Sequence, residues 1–318
     1  MDQVPRSIID RWHPLMQLLV IIWLAFGCAF IVLLLSMMLI KPIYHVTGAD
    51  ALMLRAQTDP DKVLAHPNEV NALKFIQLMS EIGSFGIPAL IFAYSKRTRD
   101  YLLVRSKNFI YLLVLGMAIV FLSGPFISYI YELNMQMKLP AAFNSLQEWM
   151  KNTQTETDKV TEVFVRMNSW RDLLFNLFVI ALIPALCEEL LFRGCLQQVF
   201  RTWFKNPHTA IWITAIIFSG AHLEFYGFVP RMILGAVLGY LFYWSNSLWV
   251  PILGHMINNG GQLVLAFLFQ MKLIAFNIDS DEPTPRSWVV VGMGITILCL
   301  IAFYNYCKKK NLFIPQTT

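Results

Sequence analysis

Charge is scarce in this sequence. Charged residues fill 14% of its 318 positions. A soluble globular domain carries roughly 25%. Hydrophobic residues make up 57% and mean hydropathy is +0.55, more apolar surface than a soluble fold can hide, so a bilayer is the natural solvent. No basic run with interleaved aromatics is present, so nucleic acid is not indicated as a partner despite a formal charge of +5. Cysteine offers no disulfide framework: Cys28, Cys187, Cys195, Cys299 and Cys307 all lie in or at the end of apolar segments, as small membrane residues do. No internal repeat and no low-complexity tract appears. The sequence also lacks HExxH, which excludes a zinc site of that pattern.

Long apolar runs remain. A membrane-spanning helix needs about 20 mostly apolar residues. Runs at 15–40, 73–94, 109–132, 173–200, 209–225, 229–244, 247–270 and 287–306 predict the fold class: all-α, a polytopic transmembrane helix bundle of about eight spans, one membrane domain over 1–318. The first run follows Asp2, Arg6, Asp10 and Arg11 and exceeds the roughly 7–15 residues of a cleaved signal core, so it reads as a retained span. Lys96, Arg97, Arg99, Arg105 and Lys107 follow span two, Arg201 and Lys205 follow span four, and Lys308, Lys309 and Lys310 end the chain. Eight spans put all three groups on one face, so both termini are expected in the cytoplasm; a reporter fused after Lys310 checks this.

Segment 134–172 is too polar to span. Val160, Val163, Phe164 and Met167 form an i, i+3, i+4, i+7 stripe, and Thr153 with Glu156 fits a capping box at its start. Phe143, Leu146 and Met150 predict an earlier, shorter helix. The expected arrangement is two amphipathic helices at the outer membrane surface, with a lid over an active site as the alternative. Gly235 and Gly239 make a GxxxG on the sixth span, a signal of close helix packing.

Ionisable residues inside a bilayer are costly and usually functional. Spans one, three and eight hold essentially none. The fourth holds Glu188, Glu189 and Arg193, the fifth His222, and the seventh His255 followed by Asn258 and Asn259. Glu189 and Arg193, four apart, meet on one helix face as an ion pair. Glu188, about 100° around the helix, lacks that partner, and a desolvated carboxylate without a cation suits proton transfer. Asn259 shares a face with His255. At about 1.5 Å rise per residue, Glu188, His222 and His255 reach depths compatible with one site, although Pro251 is a potential break in the seventh helix. Blander readings apply elsewhere. Glu81 is expected to bond within the bundle, Arg231 to snorkel to the interface and Cys187 to pack. His13 reads as an interface residue, and His45, His66 and His208 as loop residues. A membrane histidine taken singly is often only a bond between helices. Phe218-Ser219-Gly220 loosely matches the G-x-S-G of rhomboid proteases, but Ile217 stands where glycine is needed.

Three patterns follow in order, each in its own span. Glu188-Glu189-Leu190-Leu191-Phe192-Arg193 is E-E-x-x-x-R, Phe218-Ser219-Gly220-Ala221-His222 is F-x-x-x-H, and His255-Met256-Ile257-Asn258-Asn259 is H-x-x-x-N. Together they resemble the CAAX-protease and bacteriocin-processing family of intramembrane proteases, also called the Abi family, in its type II CAAX prenyl endopeptidase form. The resemblance covers about 173–265, which it marks as a catalytic core. It implies about eight helices around a polar cavity, with Glu188 as the general base that activates a water and His222 assisting. His255 and Asn259 would stabilise the oxyanion, and Glu189 and Arg193 would hold the site in shape. The family has been called metalloprotease, and a metal-free mechanism is also argued for it. Glu188, His222 and His255 could hold Zn²⁺ with water as fourth ligand; the reading leans to no tightly bound metal.

Two functions stay open. One is an intramembrane endopeptidase in a bacterial cell membrane, acting on a membrane-associated protein or peptide. The other is a non-catalytic immunity or scaffold protein that uses the same polar cluster. A transporter would often repeat its polar, broken helices in both halves, and here they fall in one half.

Overall fold

The structure is a computed structural model that describes residues 9–96, 109–275 and 283–314. Every regular element among them is helical. In chain order these are α1 (Pro14–Tyr44), α2 (Ala49–Thr58), α3 (Pro60–Leu64), α4 (Pro67–Ser95), α5 (Phe109–Met135) and α6 (Asn144–Val165). They continue as α7 (Trp170–Phe204), α8 (Pro207–Gly220), α9 (Phe228–Ser245), α10 (Trp249–Gln270) and α11 (Arg286–Lys309). Among the described residues, seven helices are long and apolar enough to cross a membrane: α1, α4, α5, α7, α9, α10 and α11. The basic residues Arg97, Arg99, Arg105 and Lys107, on which the expected orientation partly rests, lie outside the described residues.

The fifth expected span departs from the sequence reading. It is α8, of 14 residues, or about 21 Å at about 1.5 Å per residue, against a hydrocarbon core of about 30 Å. Its start is fixed locally: Pro207 takes the first helical position, and the Asn206 side chain accepts from the amides of His208 and Thr209. His208 is therefore helical rather than in a loop. At the other end Leu223 adopts a left-handed φ of 55°, and the Ser219 hydroxyl donates to the Phe228 carbonyl across 2.6 Å. The chain thus reverses through 221–227, and His222 sits in that turn instead of inside a helix. Irregular backbone is tolerated at membrane depth only where protein covers it. Here α6 contributes cover, with Trp149 edge-on to Phe225 at 5.0 Å between ring centroids.

The polar centre is built on α7, which runs 35 residues. Ser169 caps it, accepting from the Asp172 amide. Two wider π turns interrupt it, at Leu177–Leu182 and Leu190–Leu196. Such turns recur at functional sites because they re-aim side chains, and Glu188 and Glu189 lie between them. Helix α9 packs tightly on α8, as the GxxxG anticipates: a Cβ at Gly239 would fall 2.9 Å from Ile211 Cγ2, and one at Gly235 3.1 Å from Phe218 Cδ1. With no side chains in the way, the carbonyls of Gly235 and Gly239 accept from Arg193 Nη2 at 3.0 Å and Gln197 Nε2 at 3.1 Å. Pro251 falls in the first turn of α10, where no helical bond is lost, so that helix runs unbroken through His255 and Asn259.

Segment 134–172 forms one long amphipathic helix where two were expected. Thr153 lies inside α6, and its carbonyl accepts from the Thr157 hydroxyl at 2.9 Å. A capping residue must leave helical backbone, and nothing between 144 and 165 is Gly or Pro to force that. The expected stripe is present. Val163 and Met167 are buried, and Val160 and Phe164 pack on a cluster with Leu52, Val63 and Leu73 from α2, α3 and α4.

Candidate active site

Phe218, the first residue of F-x-x-x-H, organises the site. Its ring is fully buried at the end of α8. The Arg193 guanidinium lies over it, 4.6 Å from the centroid, a cation–π contact. The His222 and His255 rings meet it edge-on at 5.1 and 5.8 Å. One aromatic side chain thus holds residues from three of the sequence motifs in register.

Around that ring the two glutamates of α7 have opposite surroundings. Glu189 is fully buried, and its Oε1 accepts from Arg193 Nη1 at 2.7 Å and from His255 Nδ1 at 2.9 Å. A carboxylate oxygen that accepts from a guanidinium accepts here as well, so His255 donates from Nδ1. The expected i, i+4 pair is present, but the bond to His255, 66 residues away, is one that helical periodicity cannot show.

Glu188 is 5% exposed, and its Oε2 is buried with no hydrogen-bond partner. His222 Nε2 stands 3.9 Å from that oxygen. The other ring nitrogen, Nδ1, lies 2.9 Å from the Phe218 carbonyl. A carbonyl only accepts, so Nδ1 carries the proton and Nε2 points its lone pair toward Glu188. The His222 side chain is 30% exposed, so this half of the site is open and the Glu189 half is closed.

Asn259 reaches the same region from α10. Its Nδ2 donates to the Ile180 carbonyl at 3.4 Å, and its Oδ1 accepts from Asn258 Nδ2 at 3.1 Å. Ser219 has 0% exposure and its hydroxyl is spent on the Phe228 carbonyl, which removes it as a nucleophile. Glu81 Oε1 accepts from Gln77 Nε2 of its own helix at 2.9 Å, and its Oε2 is buried without a partner. Arg231 pairs with Glu224 at 2.5 Å and is 21% exposed. Two opposite charges within one short apolar stretch, Glu224 and Arg231, were the available hint. Among the described residues, no three His, Cys, Asp or Glu side chains are gathered to hold a metal ion, so Glu188, His222 and His255 do not fit a three-ligand set as they stand.

Residues 170–261 match the family described as type II CAAX prenyl endopeptidase Rce1-like. That stretch is Rce1-like. The Rce1-like stretch is less than a third of the chain, and it takes in every residue of the three motifs. The uncharacterized protein YpbD of Bacillus subtilis (strain 168) is 28% identical over 86 residues, which is 26% of this chain and 41% of that protein. The chain thus spans about two fifths of the length of that curated relative. No solved structure matches. The Rce1-like likeness names a protease at the level of the family, and the spanning helices make the chain an integral membrane protein.

Proposed function

We propose that the chain is an intramembrane endopeptidase in which Glu188 activates a water for attack on a peptide bond of a membrane-associated protein or peptide. The observation that supports this most is the contrast within one adjacent pair: Glu189 is anchored through Oε1 by Arg193 and His255, although its Oε2 is unpartnered, while the Glu188 Oε2 has no partner and faces the lone pair of His222. A gap of 3.9 Å is too long for a direct bond. A water about 2.8 Å from each atom donates to both and turns its own lone pair outward. Glu188 takes one proton as the water oxygen bonds to the scissile carbonyl carbon, then gives it to the departing amine. His222 orients the water. His255 and Asn259 face the developing oxyanion, and the Glu189–Arg193 pair fixes His255. These roles use the protein's own groups and assign nothing to a metal.

The chain's substrate is sought by comparing membrane peptides in cells that carry the wild type or Glu188→Gln. The variant keeps shape and hydrogen bonding but cannot take the proton. It should fold normally and lower kcat at least about 10²-fold on any peptide so found. Near-wild-type turnover would remove Glu188 as the base. The same assay with a chelator separates two mechanisms: turnover lost and then restored by Zn²⁺ would place a metal beside Glu188. A scaffold or immunity role is favoured if no peptide differs between the two strains.

A further inference from the structure

Arg231 is a cationic side chain near the open half of the site that the three motifs leave out. It lies in the first turn of α9, and Glu224, two residues after His222, holds its Nη2 at 2.5 Å. The pair is close because position 227 is glycine. A Cβ there would fall 2.9 Å from Glu224 Oε2 and 3.1 Å from both terminal nitrogens of Arg231. The second nitrogen, Nη1, is buried and has no acceptor among the described residues. A buried cationic donor with nothing to bond is costly, so such an atom calls for a reason.

Position supplies one. Ser219 on α8 is tied to the Phe228 carbonyl, which clamps the start of α9 against the turn that carries His222. Arg231 therefore enters from the helix that leaves the His222 turn directly. The residues first expected to hold the oxyanion are meanwhile partly engaged. His255 Nδ1 donates to Glu189. Asn259 Nδ2 already donates one proton to Ile180.

We propose that Arg231 is a further catalytic residue, whose Nη1 donates to the oxyanion at the scissile carbonyl while Glu224 holds the guanidinium in place. This rests on the peptidase reading above. When the water oxygen bonds to the carbonyl carbon, Glu188 receives the water's proton and the π electrons move onto the carbonyl oxygen. That negative oxygen accepts from Nη1. Collapse re-forms the C=O bond, breaks the C–N bond and passes the Glu188 proton to the amine nitrogen. The guanidinium gains its missing acceptor only in this intermediate, which is what makes an interaction catalytic rather than merely adhesive.

The test uses the full chain in detergent or nanodiscs and a membrane peptide cleaved in a Glu188-dependent way. Arg231→Gln should lower kcat by about 10²–10³-fold, the usual effect of losing an oxyanion donor, with KM within about threefold of wild type. Arg231→Lys should recover about tenfold of that loss by keeping the charge without the fork. Arg231→Ala should be rescued by guanidinium ion added at millimolar concentration, since the side chain is 21% exposed. A residue that only supports the fold would show no such rescue. If Glu188→Gln is inactive while Arg231→Gln turns over like wild type, the inference fails and the Glu188 reading stands. If Arg231→Gln melts early and guanidinium restores nothing, Arg231 is structural. A chain with no Glu188-dependent cleavage overturns both.

Discussion

Helices α1 and α7 are both long, apolar and membrane-spanning, yet they are used in opposite ways. In the most apolar window of α1 17% of residues are buried inside the protein, against 56% for α7. Helix α1 turns Trp23, Phe26 and Phe30 outward, and the buried polar residues along it are only Gln17 and Ser36. Helix α7 buries Glu188, Glu189 and Arg193 and is interrupted by two π turns. Hydropathy ranks α1 above α7. The more apolar helix therefore meets lipid, and the less apolar one meets protein. Lipid tails are as apolar as leucine, so helices in a bilayer gain nothing by burying apolar faces together. What they must bury is whatever lipid cannot solvate. The polar residues thus decide which helices lie at the centre.

The comparison is broken most severely at Arg193. Its guanidinium has 0% exposure and satisfies Glu189, the Gly235 carbonyl and the face of Phe218. Arg193→Ala leaves Glu189 buried with His255 alone. The expected loss is about 3–5 kcal/mol, as for removing one partner of any buried pair. Thermal unfolding of the purified protein in detergent measures it. A variant that melts like wild type but is inactive would show that Arg193 acts in the chemistry instead.

A smaller effect is expected where α9 meets α8. At Gly239 an added methyl would lie 2.9 Å from both Gln197 Oε1 and Ile211 Cγ2. Gln197 cannot simply move aside, because its amide donates to the Gly239 carbonyl. Gly239→Ala should destabilise by about 1–3 kcal/mol through overpacking. Gly235→Ala should do less, since its nearest neighbour is 3.1 Å away. Equal stability of Gly239→Ala and wild type in a denaturant titration would show that the α8–α9 contact is looser than these distances say.

Much of this arrangement was legible from residue order. Seven of the eight apolar runs are helices of spanning length, the Glu189–Arg193 pair follows from a spacing of four, and the glycine pair marked the α8–α9 contact. Three features were not legible. The bond between His255 and Glu189 joins helices 66 residues apart, and periodicity carries no information at that range. The turn at His222 arises from how the chain leaves Gly220, where Leu223 takes a left-handed backbone without a glycine to announce it. Thr153 and Glu156 fit a capping pattern, but the residues before them are good helix formers, so the helix continued through the cap. In each case a tertiary contact or a continuous helix overrode a local rule.

The smallest expected effect lies on α1 itself. Phe26 is 75% exposed and faces away from the protein. In water such a residue would be a liability, but here its surroundings are acyl chains. Truncation in a packed core leaves a cavity, because the neighbours relax only partly. Lipid is a liquid and fills the space, so Phe26→Ala should change stability by no more than about 0.5 kcal/mol, the range for surface substitutions. The measurement is a denaturant titration in lipid nanodiscs beside Gly239→Ala. A loss above about 1 kcal/mol would mean that this face of α1 is packed against another protein chain rather than lipid. The contrast between the two helices would then hold only within a single chain, with α1 serving as an assembly surface.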